Sequence, residues 1–97
     1  MTRDHILTFL RTRKQEMQLS YGVVVIGLFG SYARQVARDD SNFDILVEFQ
    51  AEKKILRNFL GCTRYLDENL VRNVDLGIET TLKPIARETV RNDVLYA

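Results

Sequence analysis

The segment Val23-Val24-Val25-Ile26-Gly27-Leu28-Phe29 constrains this chain more than any other. Seven consecutive apolar residues, rich in β-branched side chains and bounded by Gly22 and Gly30, are too few for a helix. They suit a strand covered on both faces. Such a strand needs neighbours, and two further runs supply them: Phe43 to Phe49 and Val74 to Glu79. Helical patterns separate the three. Over residues 3–18, Ile6, Leu10 and Met17 fall on one stripe with Leu7 and Phe9 beside it. Arg11, Arg13, Lys14 and Glu16 are then expected to face outward, with Thr2 as the N-cap. Residues 32–38 suit a short helix. Residues 53–72 carry a stripe of Ile55, Phe59, Cys62, Leu66 and Leu70. Pro84 opens a last helix, 84–93, with Ile85, Ala86 and Val90 inward. The order α-β-α-β-α-β-α predicts an α/β (α+β) fold, a sheet of about three strands with helices packed on it.

Length and charge narrow the classes. Ninety-seven residues make one domain, 1–97, with no room for a second core. Lys plus Arg number 14 and Asp plus Glu 13, a net charge of +1, whereas a protein that lives on phosphate-backbone affinity is far more basic. No direct nucleic-acid binding is expected. The single cysteine, Cys62, excludes an internal disulfide and suits a reducing cytosol. The N-terminus lacks the apolar core of a signal peptide, and the run at 23–29 is too short to span a bilayer. A cytoplasmic protein with no membrane association is expected.

The chemistry concentrates at the ends of the strands. Gly30-Ser31 follows the first strand and opens a helix, where backbone N–H groups and a hydroxyl suit a phosphate. A plain strand-to-helix turn with Ser31 as N-cap is the commoner reading of the dipeptide alone. Arg34 and Arg38 share one helix face, and Arg34 lies one turn from the anion-binding end; a solvated basic face is the alternative. Asn42 and Asp44, two apart, point to one face of the second strand. Asp75 joins them if the second and third strands are neighbours. Mg²⁺ takes a few carboxylates plus substrate phosphates, and that set fits it. The alternative is strand-edge residues facing water, although a carboxylate embedded among Phe43, Ile45, Val74 and Leu76 would be costly without a partner. His5 reads as a surface residue and Cys62 as core.

Gly30-Ser31, ten residues, then Asn42-Phe43-Asp44 resembles the GSx10DxD signature of DNA polymerase β-like nucleotidyltransferases. The longer pattern is similar to the minimal, MNT-type members: Gly-Ser-Tyr-Ala-Arg at 30–34, Ala-Arg at 37–38, Asp-Ser at 40–41, Phe-Asp-Ile-Leu-Val-Glu-Phe at 43–49, Val74-Asp75-Leu76 and Leu82-Lys83-Pro84. It covers roughly residues 20–97. The resemblance implies a small mixed sheet. It implies that Gly30 and Ser31 hold the triphosphate of ATP with help from Arg34, and that positions 42, 44 and 75 are the catalytic metal ligands for Mg²⁺. It further implies a prokaryotic antitoxin paired, as a hetero-oligomer, with a HEPN-domain ribonuclease toxin. Such antitoxins neutralise the toxin by moving AMP from ATP onto a toxin tyrosine. One departure stands out: the family's first carboxylate is Asn42 here, and Asp40 would need a register shift to replace it. An amide brings no negative charge. Two functions therefore follow, an adenylyltransferase antitoxin and a non-catalytic one that masks its toxin by binding.

Overall fold

The computed structural model describes residues 2–33, 42–70, 73–81, 85, 88 and 92–97, with the backbone alone at Ser31 and Tyr32. Helix α1 (Arg3–Tyr21) leads into strand β1 (Val23–Phe29), and helix α2, Gly30–Ala33 among the described residues, follows directly. Strand β2 (Phe43–Phe49), a 3-10 turn (Ala51–Lys53) and helix α3 (Leu56–Asn69) come next. Strand β3 (Val74–Ile78), a 3-10 turn (Glu79–Thr81) and strand β4 (Leu95–Tyr96) complete the described elements. The sheet has the order β3-β2-β1-β4. β1 runs antiparallel to β2 and β4, and β2 parallel to β3. The mixed sheet therefore holds four strands and not about three. β4 pairs through only two residues, Tyr96 opposite Gly27 and Leu95 opposite Leu28, too few to leave a period-two pattern.

Helices α1 and α3 cover one face of the sheet. On that face Phe43, Ile45, Val47 and Phe49 of β2 meet Val23, Ile26 and Leu28 of β1, all buried against Ile6, Leu10 and Met17 of α1 and Cys62 and Leu66 of α3. Each large apolar side chain there contributes about 1.5–3 kcal/mol. The expectation that β1 is covered on both faces fails at its start. Val23 pairs with Phe49 and Val25 with Glu48, so Val24 is an extra residue in a β-bulge. Val24 is 37% exposed. The bulge lets Val23, Ile26 and Leu28 all reach the helix-covered face, which strict alternation forbids.

The helix ends follow local chemistry. Thr2 caps α1, its hydroxyl accepting from His5 N at 3.3 Å, and His5 is exposed as expected. α1 runs three residues beyond the predicted 3–18 and stops at Gly22, which adopts φ 79° and donates to Gln18 O at 2.9 Å. Arg13 and Lys14 do not simply face solvent. The Arg13 guanidinium sits 5.6 Å over the Phe9 ring and bonds Glu16, while Lys14 Nζ donates to Ala97 O. α3 is shorter than the predicted 53–72. Ile55 lies before it, 51% exposed, because residues 51–53 form a separate turn. Most of the predicted helices 32–38 and 84–93 lies outside the described residues, with helical backbone at Ile85, Glu88, Asn92 and Asp93.

Candidate functional site

The alternation that buries Phe43 and Ile45 turns Asp44 to the opposite face of β2. β3 does the same: Val74 is buried and Leu76 packs on the core, so Asp75 faces out. The parallel register sets Asp44 directly beside Asp75. Asp75 is exposed and Asp44 half-buried. The burial penalty read from their apolar sequence neighbours does not apply, since those neighbours point the other way. Among the described residues no three His, Cys, Asp or Glu side chains gather to hold a metal. The third position is the amide of Asn42, whose Nδ2 donates to Asp75 Oδ2 at 3.4 Å. With its amino end turned to Asp75, the carbonyl oxygen is the end left for a cation. Two carboxylates and one amide oxygen fit a hard ion such as Mg²⁺ that also takes phosphate oxygens.

Several contacts hold these groups in place. Asp67, in the last turn of α3, accepts from Val74 N at 2.9 Å and so fixes the residue before Asp75. Phe43 N donates to Asn73 O at 3.1 Å, joining the starts of β2 and β3. Phe29, the last residue of β1, pairs with Asp44, which brings the β1–α2 junction to the same place. At that junction Gly30 has φ 75°, a region that side chains other than glycine rarely adopt. A Cβ added there would run into the Asp44 carboxylate. Gly30 thus lies in direct reach of Asp44.

The structure brings together Gly30, Asn42, Asp44 and Asp75. Ser31 lies next to Gly30 within α2. The helix begins at Gly30, so Ser31 is inside its first turn and is not the residue preceding it. Arg34, Arg38 and Asp40 lie outside the described residues. Sequence reasoning passed over Asp67 and Arg3. Arg3 Nη1 donates to Ala33 O at 3.2 Å across 30 residues of chain, and no local spacing signals that bond. A hollow of about 750 Å³ between the end of α1 and α3 holds none of the four. Its rim mixes Arg57 and Arg64 with Glu52 and Glu68, and its size alone does not make it the site of chemistry.

The pattern of the nucleotidyltransferase domain family matches residues 6–96. The chain belongs to that family. This nucleotidyltransferase domain is 38% identical over 96 residues to the protein adenylyltransferase MntA of Thermococcus cleftensis, covering 99% of this chain and 96% of that one. A solved chain classed as a minimal nucleotidyltransferase superposes with a TM-score of 0.75 at 33% identity, covering 92% of this chain and 93% of the other. A chain from the complex of tri-AMPylated Shewanella oneidensis HEPN toxin with MNT antitoxin superposes with a TM-score of 0.64 at 17% identity, over 93% of this chain and 70% of that one, a likeness of fold. Among the described residues no helix of this nucleotidyltransferase domain is long and apolar enough to cross a membrane.

Proposed function

We propose that this chain is the adenylyltransferase antitoxin of a HEPN toxin, transferring AMP from ATP to a toxin tyrosine. The observation that carries the reading is the in-register pairing of Asp44 with Asp75 beside Gly30. The similarity to an MntA protein adenylyltransferase supports the reaction class, and the fold shared with an MNT antitoxin complex supports the partner. Asp44, Asp75 and the Asn42 carbonyl would hold Mg²⁺. When bound, that ion supplies positive charge to the α-phosphate and to the attacking oxygen. Gly30, Ser31 and Arg34 would bind the triphosphate. The tyrosine oxygen forms a bond to the α-phosphorus as the α–β bridging bond breaks. Pyrophosphate leaves with the electron pair, and the phenolic proton passes to solvent.

Asn42 favours a second reading, an antitoxin that silences its toxin by contact alone. Two carboxylates carry less charge than the family's three, and loss of a group supporting a metal commonly costs about 10–100-fold in affinity or activity. The deciding experiment incubates the chain, and its Asn42→Asp variant, with labelled ATP, Mg²⁺ and purified toxin. Label on the toxin, at least tenfold more with Asn42→Asp, is the outcome the transferase reading expects. Equal labelling by both removes position 42 from the ligand set. No label from either, with ribonuclease activity still blocked, establishes masking.

A further inference from the structure

The β1–α2 turn is held from two sides, and only one of them belongs to the metal-ligand set. On one side the Asp44 carboxylate abuts Gly30. On the other, the Arg3 guanidinium reaches from α1 to a backbone carbonyl of α2, Nη1 to Ala33 O at 3.2 Å. A donor from outside on a carbonyl of this turn ties its backbone to α1. Arg3 is suited to this. It stands in the first turn of α1, next to the Thr2 cap and one turn before the fully buried Ile6, on a layer packed against the sheet. Its Nε lies out of solvent, has no hydrogen-bond partner among the described residues and is 3.9 Å from Asp4 Oδ1, beyond hydrogen-bond reach. A guanidinium with a desolvated, unpaired N–H is costly to keep. Among the described residues the hydrogen bond that the guanidinium makes is the one to Ala33 O.

We infer that Arg3 is a positioning residue for nucleotide binding: by holding Ala33 it fixes the backbone of Gly30 and Ser31, where the phosphates of ATP would lie. The inference rests on the nucleotide site proposed above. Arg3 touches neither nucleotide nor metal in this role; it acts through Ala33, two residues after Ser31.

The test compares wild type with Arg3→Met, which keeps the apolar stem and removes every donor, and Arg3→Lys, which keeps one. Ser31→Ala serves as the reference for a damaged phosphate turn. Calorimetry with ATP and Mg²⁺ is run at a temperature where circular dichroism shows all four chains folded. Arg3→Met is expected to weaken ATP binding about tenfold, the scale of one charge-assisted hydrogen bond, and Arg3→Lys to recover most of that loss. A lower melting temperature for Arg3→Met with unchanged ATP affinity would make Arg3 a mere anchor of α1 and overturn the role, as would Arg3→Lys binding no better than Arg3→Met. Should Arg3→Met not fold, Arg3→Lys against wild type decides: an affinity loss beyond tenfold overturns a role that one donor satisfies. A wild type that binds no ATP sinks the nucleotide site itself, a failure distinct from that of Arg3.

Discussion

Strand β2 carries two carboxylates on the same face, Asp44 at its start and Glu48 four residues on, and their surroundings differ. Glu48 is enclosed by partners of the opposite character. Lys54 Nζ pairs with it, Thr80 N donates to Oε2 at 3.0 Å, and Phe49 N donates to Oε1 at 3.1 Å. Lys54 also donates to Thr80 Oγ1 at 2.8 Å, closing a cluster that ties β2 to the segments after β2 and β3. Asp44 instead stands beside another carboxylate, Asp75, with an amide and a glycine around them. Like charges directly opposite each other weaken a sheet. One end of the strand therefore uses its carboxylate to build the fold. The other end sets two carboxylates side by side, the arrangement that the proposed cation site would use.

The sharpest way to break this contrast is Asp44→Asn in the Asn42→Asp background, where transfer is expected to be measurable. AMP transfer to the toxin should fall at least about 100-fold. Unfolding free energy should change by no more than about 1.5 kcal/mol, the scale of one hydrogen bond, so that the loss is one of chemistry. A variant that loses stability and keeps its activity would reverse the roles assigned to the two ends. Next in size is Gly30→Ala. The left-handed backbone costs about 1–2 kcal/mol for an L side chain, and the new methyl strikes Asp44 besides. Urea unfolding should register a loss of at least about 2 kcal/mol, together with weaker ATP binding.

Glu48→Ala is expected to cost about 1–2 kcal/mol in urea unfolding, since Lys54 is partly solvated. Its ATP affinity should stay at the wild-type value; a tenfold change there would join the two ends into one site. The smallest effect concerns acid. Burial pushes the Glu48 carboxyl upward, but the Lys54 ammonium and hydrogen bonds from Thr80 and Phe49 outweigh it and hold it below the ordinary 4.5. Stability from Glu48 is therefore complete above pH 4.5 and drains away as pH falls through the lowered value. Glu48→Gln should flatten that part of the acid limb of a stability–pH curve. An unchanged slope below pH 4.5 would mean other carboxylates carry it.

Much of the site was legible because it depends on alternation. The patterns Phe43-Asp44-Ile45 and Val74-Asp75-Leu76 each fix which way a carboxylate points, and Gly30-Ser31 marks where the chain turns. The pairing of β2 with β3 needed the fold, since nothing in one strand names its neighbour. What escaped was long-range or irregular. Arg3 meets Ala33, and Lys54 meets Glu48 and Thr80, across chain separations that carry no period. The bulge at Val24 was hidden because a run of four β-branched residues has no alternation to interrupt.

The step-for-step pairing of β2 with β3 makes the chemistry a passenger of the packing. Sliding β3 by one residue would swing Asp75 into the oily layer beside Ile45 and push Val74 and Leu76 into water. That penalty falls on folding, whether or not a nucleotide is ever bound. Drift that preserves the inward side chains will keep the two carboxylates together even in a lineage that has stopped using them. An amide such as Asn42 can thus stand beside the paired carboxylates without disturbing the frame that holds them.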